Sequence, residues 1–157
     1  MPKPLPPLPR VGVRIVGTGS ALPPRAVTNA EIASIVDTSD EWIFQRTGIR
    51  ERRVCRQSAG EGNLDLCTRS LRLALERART RADELDLIIA GTISQDQRCP
   101  STACLVAGAL NAGTAAAWDL GAACSGFVYS LNVAADLIRC GTHKTIGVIG
   151  ADTVAPL

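Results

Sequence analysis

Apolar positions along this chain switch between the three- and four-residue steps of an amphipathic helix and the short unbroken runs of a buried strand. The strongest helical pattern covers residues 63–79. There Leu64, Cys67, Leu71, Ala74, Leu75 and Ala78 form one stripe, while Arg69, Arg72, Glu76 and Arg79 lie largely off it. That basic face reads as a solvated surface, with an acidic partner as the less economical alternative. Residues 85–93 are almost continuously apolar, the pattern of a strand covered on both faces. A helix of small residues over 101–110, a strand over 115–120, a helix over 125–140 closed by Gly141, and a strand over 145–149 complete this part.

The N-terminal side is more broken. Residues 11–16 predict a short strand running into Gly17-Thr18-Gly19. Thr28 opens a helix with Glu31 three residues on, the spacing at which the two side chains can cap each other's backbone amides. Thr38 and Glu41 repeat the spacing, and Gly48 supplies a stop. A strand over 49–54 and a polar loop through Gly62 follow. Strands alternating with helices predict an α/β fold with layers around a mostly parallel central sheet flanked by helices. No tandem repeat or linker divides the chain, which reads as a Pro-rich flexible lead over 1–10 and one domain over 11–157.

Composition narrows the classes without naming one. With 46% hydrophobic and 20% charged residues a packed core is expected, and disorder is not. Aromatics make up only 3%, so Ala, Leu, Val and Ile must build that core. A formal charge of +2 is too near neutral to argue for nucleic acid. No run approaches the roughly 20 apolar residues of a membrane span, and the lead lacks the apolar stretch of a secretory signal. A cytoplasmic location is therefore expected. The six cysteines, at 55, 67, 99, 104, 124 and 140, include no C-x-x-C pair. Neither a metal site nor structural disulfides are expected, and most of the six should be small buried apolar residues.

One cysteine stands apart by its location. Gly121-Ala122-Ala123-Cys124-Ser125-Gly126-Phe127 falls where a predicted buried strand turns into a predicted helix. The first amides of a helix are unpaired and carry partial positive charge, which favours a thiolate over a thiol. The same amides can stabilise an oxyanion once that thiolate attacks a thioester carbonyl. A buried structural cysteine is the alternative that spacing alone leaves open.

Two further segments bear on that choice. Asp37-Thr38-Ser39-Asp40-Glu41-Trp42-Ile43, followed by Arg46-Thr47-Gly48-Ile49-Arg50-Glu51-Arg52, resembles a signature of the β-ketoacyl-acyl-carrier-protein synthase III family. Gly17-Thr18-Gly19-Ser20 with Leu22-Pro23, and the cysteine segment, resemble it too, in the same order and at similar separations. The resemblance covers nearly the whole chain. It implies the N-terminal half of a thiolase-like layered fold, in which two similar α/β halves are joined and usually paired as a homodimer.

The resemblance also implies a chemistry. The family moves an acyl group from acyl-CoA onto the cysteine and condenses it with malonyl-acyl-carrier protein, loss of carbon dioxide generating the attacking carbanion. Acyl-CoA is then a substrate, and no cofactor is implied. By position Cys124 matches the nucleophile. Trp42 and Arg46 match residues that hold the CoA nucleotide, with Thr38 close by; an indole stacks on adenine and a guanidinium pairs with phosphate. A core Trp42 and a surface-paired Arg46 are the plain alternative. Ile93, Cys99 and Val154 fall at acyl-pocket positions, Cys99 where several members carry an aromatic and Ile93 where a smaller residue is common. The His and Asn that work with the family's cysteine lie in the second half and have no match here. His143, the only histidine, follows the Gly141 stop and reads as a surface loop residue. The implied partners are acyl-CoA, malonyl-acyl-carrier protein, a second copy, and a C-terminal half or complementary chain. Two other readings stand beside the condensing enzyme: a non-catalytic half-domain, and a simple acyl transferase or thioesterase.

Overall fold

The computed structural model describes residues 12–154. They form two compact units, one made of 12–21 with 63–152 and the other of 22–62 with 153–154.

The larger unit is built around a three-stranded parallel sheet. Strands β3 (Leu87–Gly91), β4 (Ala116–Leu120) and β5 (Ile146–Gly150) are ordered β4-β3-β5, with Leu87 in register with Ala116 on one side and Ile146 on the other. Every residue of the central strand β3 is buried, as its unbroken apolar run predicts. Side chains of a strand alternate between faces, and here each face meets helices. Ile88 and Ala90 pack with Cys67, Leu71 and Leu75 of helix α3 (Asn63–Ala78) and with Ala103 and Val106 of helix α4 (Thr102–Leu110). Leu87 and Ile89 pack with Ala134 and Leu137 of helix α5 (Gly126–Arg139). The result is a helix–sheet–helix sandwich. Leu87, Ile88 and Ile89 are fully buried, and each contributes roughly 1.5–3 kcal/mol of transfer free energy.

Helix α3 matches its predicted span to within one residue, because Arg79 leaves the helix at φ +52°. Its buried side also takes in Leu66 and Thr68, whereas Leu64, Ala74 and Ala78 are half-buried. Arg69, Arg72, Glu76 and Arg79 are exposed, as the pattern predicts.

The predicted strand over 11–16 is not formed. Val11 lies outside the described residues, and 12–20 have no regular structure. A strand exists only through a neighbour's hydrogen bonds, and none of the described residues pairs with this stretch. Val13, Ile15 and Val16 are left exposed. Gly17 and Gly19 nonetheless lie hard against α3: a Cβ on either would overlap the carbonyl oxygen of Ala74 or Ser70. That close approach is what those two glycines supply.

In the smaller unit, an unpredicted strand β1 (Arg25–Thr28) pairs antiparallel with β2 (Glu51–Val54). Helix α1 (Asn29–Ala33) starts at Thr28 with the predicted reciprocal cap: Glu31 N donates to Thr28 Oγ1 (3.2 Å) and Thr28 N to Glu31 Oε2 (2.8 Å). The Thr28 amide is the main reason the Glu31 carboxyl sits below its ordinary range. Helix α2 (Asp40–Thr47) is capped by Ser39, not by Thr38; the Ser39 hydroxyl accepts from Trp42 N at 3.1 Å. Ser39 is the residue next to the helix's first turn, which puts its oxygen within reach of that amide. Gly48 ends α2 at φ +70°, as predicted. Asn29, almost fully buried, ties these pieces together: its amide donates to Asp40 Oδ1 (2.7 Å) and Ile49 O (2.8 Å), and its oxygen accepts from Arg52 Nη2 (2.8 Å).

All five aromatic side chains, Trp42, Phe44, Trp118, Phe127 and Tyr129, are exposed, so the core is aliphatic as composition requires. The expectation for the cysteines needs correction. All six are free thiols, but only Cys55 and Cys67 are buried, while Cys99, Cys104, Cys124 and Cys140 are exposed. Cys99 lies in the loop before α4, Cys104 on α4 with its thiol donating to Ala117 O of β4 (3.4 Å), Cys124 in the turn before α5, and Cys140 at the end of α5. Among the described residues, no helix is long and apolar enough to cross a membrane.

Candidate active site

Cys124 sits between β4 and α5, in a single 3₁₀ turn over Ala123–Ser125. Helix α5 proper starts two residues later than Cys124, at Gly126. The turn is tight. Ser125 N donates to Ala122 O at 3.0 Å and Gly126 N donates to Ala123 O, so these two amides are engaged within the turn. The sequence reading counted them among the free donors of a helix start, and on this point the structure corrects it. Ala123 adopts φ +45°, in the left-handed region that favours glycine. A non-glycine residue persists there only when its surroundings fix it, and such strain is concentrated at functional turns. Cys124 itself is exposed. It is therefore presented to solvent, and the buried structural alternative is excluded.

What fixes the turn is the seating of α5 on the sheet. A Cβ on Gly91, the last residue of β3, would stand 2.6 Å from the carbonyl carbon of Gly126. A Cβ on Gly150, its register partner at the end of β5, would stand 2.7 Å from Phe127 Cβ. The first turn of α5 thus rests directly on the ends of two strands, at the level where β4 ends in Leu120. Gly91, Gly126 and Gly150 allow that approach because they carry no side chain.

Polar groups that the sequence reading did not single out collect at the same ends of the strands. The Asp119 carboxylate accepts from Thr102 N (2.9 Å) and Ala103 N (2.8 Å), and so caps α4. The Asp96 carboxylate caps α3 through Asn63 N (3.1 Å) and Leu64 N (2.8 Å). Asp152 Oδ1 accepts from Ile93 N (3.0 Å) and Ser94 Oγ (2.9 Å). These pairs are 16 to 59 residues apart, and no local spacing signals them.

Cys67 is the chemical opposite of Cys124. It is fully buried, its thiol donates to Asn63 Oδ1 (3.1 Å), and its pKa is pushed up to about 12. Burial is the main cause, with smaller contributions from the charges of Asp119, Asp96 and Asp152. The unfolded thiol titrates near its ordinary value of 9.0. Between about 9 and 12 the unfolded chain therefore gives up a proton that the folded chain keeps. The associated stability is fully present below the lower value and is lost as pH rises toward the upper one. The urea midpoint is expected to fall between about pH 9 and 12, and to fall less in Cys67→Ala. Equal slopes in the two proteins would contradict this assignment.

The proposed nucleotide-binding residues lie in the other unit, on α2. Trp42 is 52% exposed while Ile43 beside it is buried, so a core role for the indole is excluded. The Arg46 guanidinium lies over the Trp42 ring, 4.3 Å from its centroid. The two are four residues apart and meet on one helix face. Thr38, just before α2, keeps a shielded hydroxyl with no hydrogen-bond partner. Of the acyl-pocket positions, Ile93 follows β3, Cys99 lies in the loop before α4, and Val154 belongs to the smaller unit; all three are exposed. His143 is a half-buried loop residue whose Nδ1 lies 2.9 Å from Thr142 Oγ1. Among the described residues, no three His, Cys, Asp or Glu side chains are grouped as metal ligands.

Comparison with known proteins adds an independent line. The 3-oxoacyl-[acyl-carrier-protein] synthase III family matches residues 118–157, the stretch that contains Cys124. The β-ketoacyl-[acyl-carrier-protein] synthase III of Xylella fastidiosa is 50% identical over 145 residues, covering 92% of this chain and 44% of that protein. The crystal structure of 3-oxoacyl-[acyl-carrier-protein] synthase III from Aquifex aeolicus superposes with a TM-score of 0.88 at 45% identity, over 91% of this chain and 46% of that one. A priming β-ketosynthase from a polyketide biosynthetic pathway gives 0.85 at 33% identity, over 92% and 45%. The chain thus spans less than half the length of these relatives. Fold and sequence together place it in the β-ketoacyl-[acyl-carrier-protein] synthase III family, over the N-terminal half.

Proposed function

We propose that this chain carries the acyl-accepting half of a condensing enzyme that starts fatty-acid or polyketide synthesis. The observation that carries the reading is the exposed Cys124 on its strained turn, within the segment that the family matches. In the first step the Cys124 thiolate attacks the carbonyl of an acyl-CoA thioester. The tetrahedral oxyanion collapses, CoA leaves as its thiolate, and an acyl-cysteine remains. In the second step a malonyl thioester on acyl-carrier protein loses carbon dioxide. The resulting carbanion attacks the acyl carbonyl, and the Cys124 thiolate is released. Ile93 and Cys99 wall the acyl chain, and the enzyme works as a homodimer completed by a segment holding the enolate-stabilising His and Asn.

Incubation with acetyl-CoA followed by mass mapping tests the first step, and carbon dioxide release from malonyl-acyl-carrier protein tests the second. Acyl-Cys124 without decarboxylation, even with a complementary C-terminal chain, would reassign the protein as a simple acyl transferase. Absence of acylation under those conditions would leave a non-catalytic partner.

The Trp42–Arg46 pair serves as the CoA nucleotide platform in this reading. An exposed indole with a guanidinium already stacked on it offers one face for adenine and a charge for phosphate. Trp42→Ala is expected to weaken CoA binding by about 1–3 kcal/mol, the usual cost of losing a stacked base. Arg46→Ala should add a loss that shrinks with rising salt. Unchanged CoA affinity in folded Trp42→Ala would overturn the platform.

A further inference from the structure

The end of β3 leads into a loop held by a polar network in which Thr92 and Asn63 are buried and Asp152 is exposed. Thr92 is 1% exposed and Asn63, at the start of α3, is 0% exposed. Thr92 Oγ1 accepts from Asn63 Nδ2 (3.0 Å) and from Ser94 N (3.2 Å), and it donates to Asp152 Oδ1 (3.3 Å). Asn63 Nδ2 also lies within reach of Ser94 Oγ (3.1 Å) and Ala151 O (3.0 Å), just past β5. Asp152 Oδ1 in turn accepts from Ile93 N and Ser94 Oγ. One hydroxyl therefore joins α3, the loop after β3 and the chain after β5.

This loop adjoins the Cys124 turn. Thr92 N donates to Leu120 O (3.3 Å), the last residue of β4 before that turn, and Gly91 rests against Gly126 immediately after it. The side chain the network leaves outside is Ile93, 53% exposed. The network favours one arrangement, because its buried members, Thr92 and Asn63, are penalised if left unpaired. It therefore fixes the backbone of Ile93 more firmly than an ordinary surface loop would.

We propose that Thr92, Asn63 and Asp152 are positioning residues that hold Ile93 as a fixed wall beside Cys124 and so limit the length of acyl chain the thiol accepts. The inference rests on the acyl-accepting role of Cys124. Thr92→Val removes the shared hydroxyl at nearly constant volume, and Thr92→Ser restores it. Labelling of Cys124 by iodoacetamide and by its N-hexyl derivative reads the wall directly and requires no turnover. The ratio of the two labelling rates is expected to shift toward the longer reagent by about fivefold in Thr92→Val, the scale of one net hydrogen bond. It should stay within about twofold of the parent in Thr92→Ser. Hydrogen exchange at the Ile93 and Ser94 amides should speed up in Thr92→Val, with Ile88 and Ile89 in the β3 core still protected.

An unchanged labelling ratio in a folded Thr92→Val, whether or not exchange or Tm responds, would overturn the inference and leave the network a purely structural one. A shifted ratio with unchanged exchange at Ile93 and Ser94 would overturn it too, since the effect would not run through the loop. Failure of acetyl-CoA to acylate Cys124 is read in a separate experiment and would remove the acyl-accepting role itself.

Discussion

Cys124→Ala is expected to abolish acyl transfer from acetyl-CoA, by about 10⁴-fold or more, while shifting Tm by no more than a few degrees. The large loss follows from removing a nucleophile for which no neighbour substitutes. The small stability effect follows from exposure: the side chain is not part of either apolar cluster, and exposed substitutions away from such features usually stay within about 0.5 kcal/mol. Mass mapping of the parent chain after brief exposure to acetyl-CoA should find the acyl group on Cys124. Cys67 should be silent, since its thiol is sealed and its pKa raised. Cys55 is buried and should be silent as well. The informative competitors are the other exposed thiols, Cys99, Cys104 and Cys140. Equal or faster acylation of any of them in folded protein would mean that exposure alone governs the reaction. The strained turn would then have no chemical role.

The second large effect concerns condensation. The 157-residue chain alone is expected to fall short of a complete relative by at least about a hundredfold in forming the β-ketoacyl product. Decarboxylation develops negative charge on an enolate oxygen, and donors aimed at that oxygen lower the barrier. Within the Cys124 turn the Ser125 and Gly126 amides are already engaged, and His143 lies in a loop after α5 beside Thr142. Neither supplies those donors. The chain also spans only 44% of a relative's length, and Val13, Ile15 and Val16 are exposed on a stretch that pairs with no strand among the described residues. A complementary C-terminal chain, expressed separately and added back, is expected to raise both solubility and condensing activity. Full condensing turnover by the 157-residue chain, with no second polypeptide present, would refute this expectation. Recovery of solubility without activity would show that the second chain covers apolar surface and contributes no catalytic donor.

The predictions differ in how directly the sequence supports them, and the reason is physical. What the sequence determined by itself is what depends on near neighbours along the chain. The stripe of α3, the buried run of β3, the Thr28–Glu31 cap and the Gly48 stop are set by contacts within three or four residues, and the structure shows all four. The cysteine turn was legible for the same reason, as small residues between a strand pattern and a helix pattern. The helix α2 cap moved from Thr38 to Ser39 because two adjacent hydroxyls both satisfy the local rule, and only backbone geometry chooses between them.

The tertiary structure decided whatever needed a partner distant in sequence. Strand β1 is too short and polar to announce itself, and it exists because β2 lies 23 to 29 residues on. Conversely, residues 12–16 carry a strand pattern but have no pairing partner among the described residues. Exposure of four cysteines, the Trp42–Arg46 stack, and the seat of α5 on Gly91 and Gly150 likewise depend on which surfaces meet. The Asn63–Thr92–Asp152 network is the fullest case. Its three residues are scattered over 90 positions and obey no short-range pattern. A parallel sheet brings the ends of its strands to one edge, and that edge is where buried polar groups must find each other or remain unpaired.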